Sequence, residues 1–77
     1  METWKIVNSK LVRVFVFKDF VESMSFVNNV ANLAEEHEHH PEIKINYNKV
    51  ELSLNTHSAG DKITEKDLLL AKEIDKL

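Results

Sequence analysis

The apolar residues of this chain change period three times along its length, and each change demands a different kind of secondary structure. Between Trp4 and Phe17, β-branched and aromatic residues cluster around the turn-prone Asn8-Ser9-Lys10, which predicts a hairpin of strands over 3–7 and 11–17. Val12, Val14 and Val16 share one face; Arg13 lies on the other with Phe15 and Phe17, so that side is not purely solvent. After Lys18 the spacing becomes three and four, as Phe20, Met24, Val27, Ala31 and Ala34 line up, widened by Val30 and Leu33. That pattern is an amphipathic helix over about 19–38. Asp19 caps it or places negative charge in its first turn, and it must end before Pro41, because the residue ahead of a proline is pushed out of the α region.

Period two then returns. Ile43, Ile45 and Tyr47 alternate with Lys44 and Asn46, and Val50, Leu52 and Leu54 alternate with Glu51, Ser53 and Asn55, with Tyr47-Asn48-Lys49 as the turn between two half-buried strands. Ser58-Ala59-Gly60-Asp61 reads as loop. Thr64 caps a last helix with Asp67 at its third position, and Leu68, Ala71, Ile74 and Leu77 form its buried stripe. The order β-β-α-β-β-α predicts an α+β fold: a four-stranded antiparallel sheet with two helices on one face, its other face and edges left for another subunit. One glycine and one proline leave little room for linkers, so residues 1–77 read as a single domain.

Size and charge narrow the function classes. A chain of 77 residues without cysteine has no disulfide or thiolate metal site to support a small core, which makes self-association the remaining candidate. The formal charge of −3 carries no basic excess for phosphates or anionic lipid, so neither nucleic acid nor a membrane surface is an expected partner. The longest apolar runs, Leu68-Leu69-Leu70-Ala71 among them, fall far short of the ~20 residues that span a bilayer, and Met1-Glu2-Thr3-Trp4-Lys5 has no signal core. The chain reads as cytoplasmic and unprocessed.

Chemistry concentrates at Glu35-Glu36-His37-Glu38-His39-His40-Pro41-Glu42, which holds three of the four histidines at the end of the long helix. The fourth, His57, closes the last strand; a hairpin about Tyr47-Asn48 brings it back toward His39 and His40. A solvated helix end, whose histidines complement the dipole, accounts for residues 35–40 but not for His57. Zinc or iron ligation is a weaker reading, since the pattern His-Glu-x-x-His would need histidine where Pro41 stands. General acid–base chemistry suits imidazole, whose ordinary pKa of about 6.5 lets it give and take protons at neutral pH. No serine stands in a nucleophile-elbow context.

These residues resemble the pterin-4a-carbinolamine dehydratases, a family that includes the dimerization cofactor of a vertebrate homeodomain transcription factor. The family pattern is an acidic residue, His-His-Pro, an aromatic, a histidine and an aspartate. Glu35, His39-His40-Pro41, Tyr47, His57 and Asp67 meet it in order. The likeness continues through Phe17-Lys18-Asp19-Phe20, Tyr47-Asn48-Lys49-Val50, Thr56-His57, Ala59-Gly60 and Leu70-Ala71 with Ile74. It departs at the N-terminus, where members carry a helix before the first strand. Further departures are Ile43, where many have tryptophan, Glu38, where aspartate is common, and an added residue near Lys62.

The resemblance implies a dehydratase that converts 4a-hydroxytetrahydrobiopterin to quinonoid dihydropterin and water, with neither redox cofactor nor metal, in tetrahydrobiopterin recycling. By the same analogy His39, His40 and His57 line the pocket, His40 and His57 leading as acid and base and His39 positioning the ring. Glu38 and the segment Asn55, Thr56, His57 and Ser58 contact the pterin, and Glu35, one turn before His39, orients that imidazole. Asp67 reads as a helix-start residue, Tyr47 equally as strand-end packing or ligand, His37 as a surface residue, Phe17 and Phe20 as core or pocket wall, and Trp4 as an interface residue. The implied assembly is a homodimer or homotetramer. The alternatives are a non-catalytic interaction protein of the same fold, with a protein partner, or a pterin-binding protein of folate or molybdopterin metabolism.

Overall fold

In a computed structural model that describes residues 3–77, the alternating segments pair into one sheet. Met1 and Glu2, within the N-terminal stretch read as lacking a signal core, lie outside the described residues. The first hairpin joins β1 (Lys5–Val7) to β2 (Lys10–Val16) through Asn8 and Ser9, both at positive φ of 50° and 62°. This two-residue connection has the handedness that matches strand twist, and asparagine tolerates it best after glycine. The second hairpin joins β3 (Glu42–Asn46) to β4 (Lys49–Leu54) through Tyr47-Asn48. The order across the sheet is β1-β2-β4-β3, every neighbour antiparallel, which places β4 in the interior beside β2.

Register decides which face is covered. Leu11 lies opposite Leu54, Phe15 opposite Val50, and Leu52 between Arg13 and Ile43; Leu11, Val50, Leu52 and Leu54 are buried with Val30, Leu70, Ala71 and Ile74 in one core. The two helices, α1 (Phe20–His37) and α2 (Glu65–Ile74), therefore pack on this face, with Phe15 and Phe17 against it. Val12, Val14 and Val16 do share a face, and it is the open one, with Val14 and Val16 exposed.

The helices are rotated from the expected stripes. The inward row of α1 is Ser23, Phe26, Val27, Val30, Leu33 and Ala34, while Phe20 and Ala31 are exposed. In α2 it is Asp67, Leu70, Ala71 and Ile74, and Leu68 and Leu77 face solvent. Leu68 and Leu69 instead line a hollow of about 540 Å³ with Glu65 and Lys72 on the outer side of α2. Trp4 is not an exposed interface residue. It is 4% exposed, stacks edge-on against Phe15 and donates its indole N–H to Asp75, which also takes Arg13 at 2.6 Å. This arrangement ties the strand at one edge of the sheet to the end of α2.

The ends of α1 matter most for function. Asp19 is the N-cap, accepting the Glu22 N–H at 2.9 Å, and Glu22 returns the contact by accepting the Lys18 N–H at 2.8 Å. Asp19→Ala should cost about 1 kcal/mol, read as a lower midpoint in chemical denaturation; an unchanged midpoint would show the cap to be idle. At the other end the helix stops at His37, ahead of the point Pro41 forces, because Glu38 adopts the left-handed conformation (φ 49°, ψ 41°). The His39 N–H then bonds back to the Ala34 carbonyl at 3.0 Å, the closing bond of a Schellman-type end.

Candidate active site

The left-handed turn at Glu38 sends two consecutive histidines in different directions. His39 turns inward, its side chain 11% exposed, and its Nε2 meets Oδ1 of the fully buried Asp67 at 2.5 Å. His40 stays outside, and its Nε2 meets Glu35 Oε2 at 2.6 Å. Glu35 thus serves His40, not His39: the helix has ended before His39, so the spacing of four no longer places the two on one face.

The other wall of the site grows from the end of β4. The chain leaves Leu54 through Asn55 and Thr56 into a single 3₁₀ turn, His57–Ala59, where a loop was expected, and Gly60 closes it at φ 79°, a value that suits glycine. Thr56 and Lys62 bridge the base of this excursion, the Thr56 N–H reaching the Lys62 carbonyl at 2.8 Å. His57 projects from it almost wholly exposed, with Nδ1 at 2.8 Å from Asp61 Oδ1.

The two segments and the first turn of α2 enclose an open cleft of about 370 Å³ lined by Glu38, His39, His40, Asn55, Thr56, His57, Ser58 and Lys66. Seven of the eight site residues expected from the sequence therefore come together, and Glu35 reaches the site through His40. Each of the three imidazoles is held at one ring nitrogen by one carboxylate: His39 by Asp67, His40 by Glu35, His57 by Asp61. That leaves the second nitrogen of each ring for proton traffic.

Some residues play other parts than expected. Thr56 is buried, with its hydroxyl engaged by Thr64 Oγ1 at 2.6 Å and Asp67 Oδ2 at 2.8 Å, so it braces the wall from behind. Tyr47 is exposed in the turn between β3 and β4, at the end of the hairpin away from the cleft, and takes no part in it. Ile43, where many members have tryptophan, packs against the core and does not line the cleft, Phe20 lies exposed on α1, and His37 is on the surface as expected. Two features escaped the sequence reading. Lys66 stands on the cleft with no spacing to distinguish it from the other cations, and Asp67 does more than begin a helix. Among the described residues no group of three histidine, aspartate or glutamate side chains is placed to hold a metal ion. Nor is any helix among them long and apolar enough to cross a membrane.

The sequence profile of the family described as pterin 4 alpha carbinolamine dehydratase matches residues 1–77. The chain belongs to this family. A protein of Thermomicrobium roseum, provisionally named a pterin-4-alpha-carbinolamine dehydratase, is 54% identical over 74 residues, covering 96% of this chain and 78% of that one. A Sulfolobus acidocaldarius protein of the same provisional name is 47% identical over 77 residues, covering 100% and 84%. Among solved structures, a transcriptional coactivator/pterin dehydratase from Brucella melitensis superposes with a TM-score of 0.90 at 35% identity, over 97% of this chain and 81% of that one. A pterin dehydratase-like protein identified as a RuBisCO assembly factor in the alpha-carboxysome gives 0.81 at 22% identity, over 96% and 87%, and shares the fold alone. Membership in this dehydratase family makes the chain a lyase by descent.

Proposed function

We propose that this chain, as a single catalytic unit, dehydrates a 4a-hydroxytetrahydropterin to the quinonoid dihydropterin and water, the step that returns tetrahydrobiopterin to use. The observation that carries the reading is the cleft with three imidazoles, each pinned at one nitrogen and free at the other. Dehydration breaks the C4a–OH bond and removes the proton on N5, so one group must donate a proton to the leaving hydroxyl and another must accept one from nitrogen. Imidazole does both near neutral pH, and the overall reaction is redox-neutral.

The resemblance leads with His40 and His57 as acid and base and leaves His39 to position the ring; in this reading His39, the best sheltered of the three, is the acceptor instead, and His40 and His57 supply the donor. The Glu38 carboxylate, with Asn55 and Ser58, faces the donor-rich edge of the pterin from the cleft wall. Self-association accompanies the activity, through the apolar side chains left uncovered on the open sheet face and on the outer side of α2.

The test is stopped-flow decay of chemically generated 4a-hydroxytetrahydropterin with wild type and His40→Ala side by side. Wild type should accelerate the decay, and His40→Ala should lower turnover about 10²-fold or more. The fold of the variant should be unchanged, because His40 is largely exposed. Normal turnover in a folded His40→Ala would remove that histidine from the mechanism. No acceleration by folded wild type would turn the reading toward a pterin-binding or protein-binding role.

A further inference from the structure

Asp67 is fully buried, sits 28 residues from its histidine in sequence, and neither gives nor takes a proton in the acid–base scheme. Its carboxylate nevertheless organises everything behind the cleft. Oδ2 accepts the Thr64 N–H at 2.8 Å and the Thr56 hydroxyl at 2.8 Å, while Oδ1 faces His39 Nε2.

The direction of each proton in this network follows from the partners. The Lys66 N–H can only donate, so Thr64 Oγ1 accepts from it at 3.3 Å and has its own proton to give. Because the Thr56 hydroxyl spends its proton on Asp67, the Thr56–Thr64 contact must run from Thr64 to Thr56. Two donors on this side, the Thr56 hydroxyl and the Thr64 N–H, therefore end on Asp67 Oδ2, and a carboxylate, acceptor-only, requires a donor from His39 at Oδ1 as well.

We propose that Asp67 is a positioning residue that locks His39 in the tautomer with hydrogen on Nε2, so that Nδ1 is presented to the cleft as a proton acceptor. No buried side-chain nitrogen or oxygen among the described residues lacks a partner, and Nδ1 of His39 has none; it is therefore the ring nitrogen open to solvent, on a residue that lines the cleft. The same aspartate closes the capping box of α2, accepting from the N-cap backbone. One buried group thus ties the start of the last helix to the orientation and hydrogen placement of one imidazole. This inference rests on the dehydratase reading for its kinetic consequence but not for its structural content.

Asp67→Asn separates the two roles. The amide oxygen can replace Oδ2, accept from Thr56 and Thr64 and keep the cap, while the amide nitrogen, a donor, then faces His39 Nε2 and drives the ring hydrogen to Nδ1. The expected result is a fall in kcat of about 10²-fold with KM nearly unchanged, since a wrong imidazole tautomer leaves the geometry in place but removes the base. In parallel, nitrogen-15 NMR of the imidazoles should report the neutral His39 ring as Nε2–H in wild type and Nδ1–H in Asp67→Asn.

Wild-type turnover in Asp67→Asn, or an Nε2–H ring in that variant, overturns the proposal. If Asp67→Asn does not fold, the wild-type spectrum decides: a neutral His39 with hydrogen on Nδ1 excludes the lock. If wild type shows no dehydratase activity, the functional reading fails, and the NMR comparison still tests the tautomer by itself.

Discussion

Replacing His39 by glutamine is expected to lower turnover of 4a-hydroxytetrahydropterin by about 10²- to 10⁴-fold, the range over which a positioned acid or base contributes. Glutamine is the informative choice because its terminal amide nitrogen can take the place of Nε2 and donate to Asp67, whereas alanine would leave a buried carboxylate oxygen unpartnered. The thermal midpoint of His39→Gln should therefore stay close to wild type while the proton-accepting nitrogen is gone. Stopped-flow decay and a melting curve on the same preparation make the check. Near-wild-type turnover in a folded variant would mean that His39 only shapes the cleft, and the burden of both proton transfers would pass to His40 and His57.

Leu52→Ala is the largest expected loss of stability. Leu52 is completely buried on β4, an interior strand, between Arg13 of β2 and Ile43 of β3. Truncation to alanine removes its transfer free energy and leaves a cavity, together about 2–5 kcal/mol. A single core of this size supplies only about 3–5 kcal/mol, so the variant should lose most of its margin. The thermal midpoint should drop by at least about 8 °C, or the cooperative transition should disappear. Val16→Ala, on the exposed sheet face, is the comparison, and as a surface change should stay within about 0.5 kcal/mol. A loss at Val16 as large as at Leu52 would show that another subunit covers that face. A Leu52→Ala midpoint equal to wild type would contradict the core described above.

Much of the fold is legible from periodicity alone. Both hairpins, both helices and the Thr64/Asp67 capping box stand where the alternation and the cap residues place them, with boundaries shifted by one or two residues. The helix faces were harder to read. Apolar residues wrap widely around α1, from Phe20 and Met24 through Phe26 to Val30 and Leu33, and a broad stripe has no unique centre. Where the sheet and α2 lie decides that Ser23 and Phe26 turn inward and Phe20 outward. Trp4 illustrates the same limit: an indole has a polar edge that suits an interface, and only the tertiary fold packs it into the core and brings Asp75 from the far end of the chain to accept its N–H.

In the site, the histidines and the segment 55–58 were readable because a hairpin must return the end of its second strand to the start of its first. The carboxylates behind the histidines were not. Spacing of four suggested Glu35 for His39, but the left-handed residue Glu38 ends the helix and passes Glu35 to His40. Asp67 carried a complete local explanation as a cap, which hid its second contact.

By itself, then, the sequence determined the order of elements, the gathering of three imidazoles at one end of the sheet and the family to which they belong, because these follow from local periodicity and fixed spacing. Only the tertiary structure decided which nitrogen of each imidazole is tethered and by which carboxylate. Such pairings depend on side chains from distant elements meeting across the packed core, and no local rule of spacing encodes that meeting.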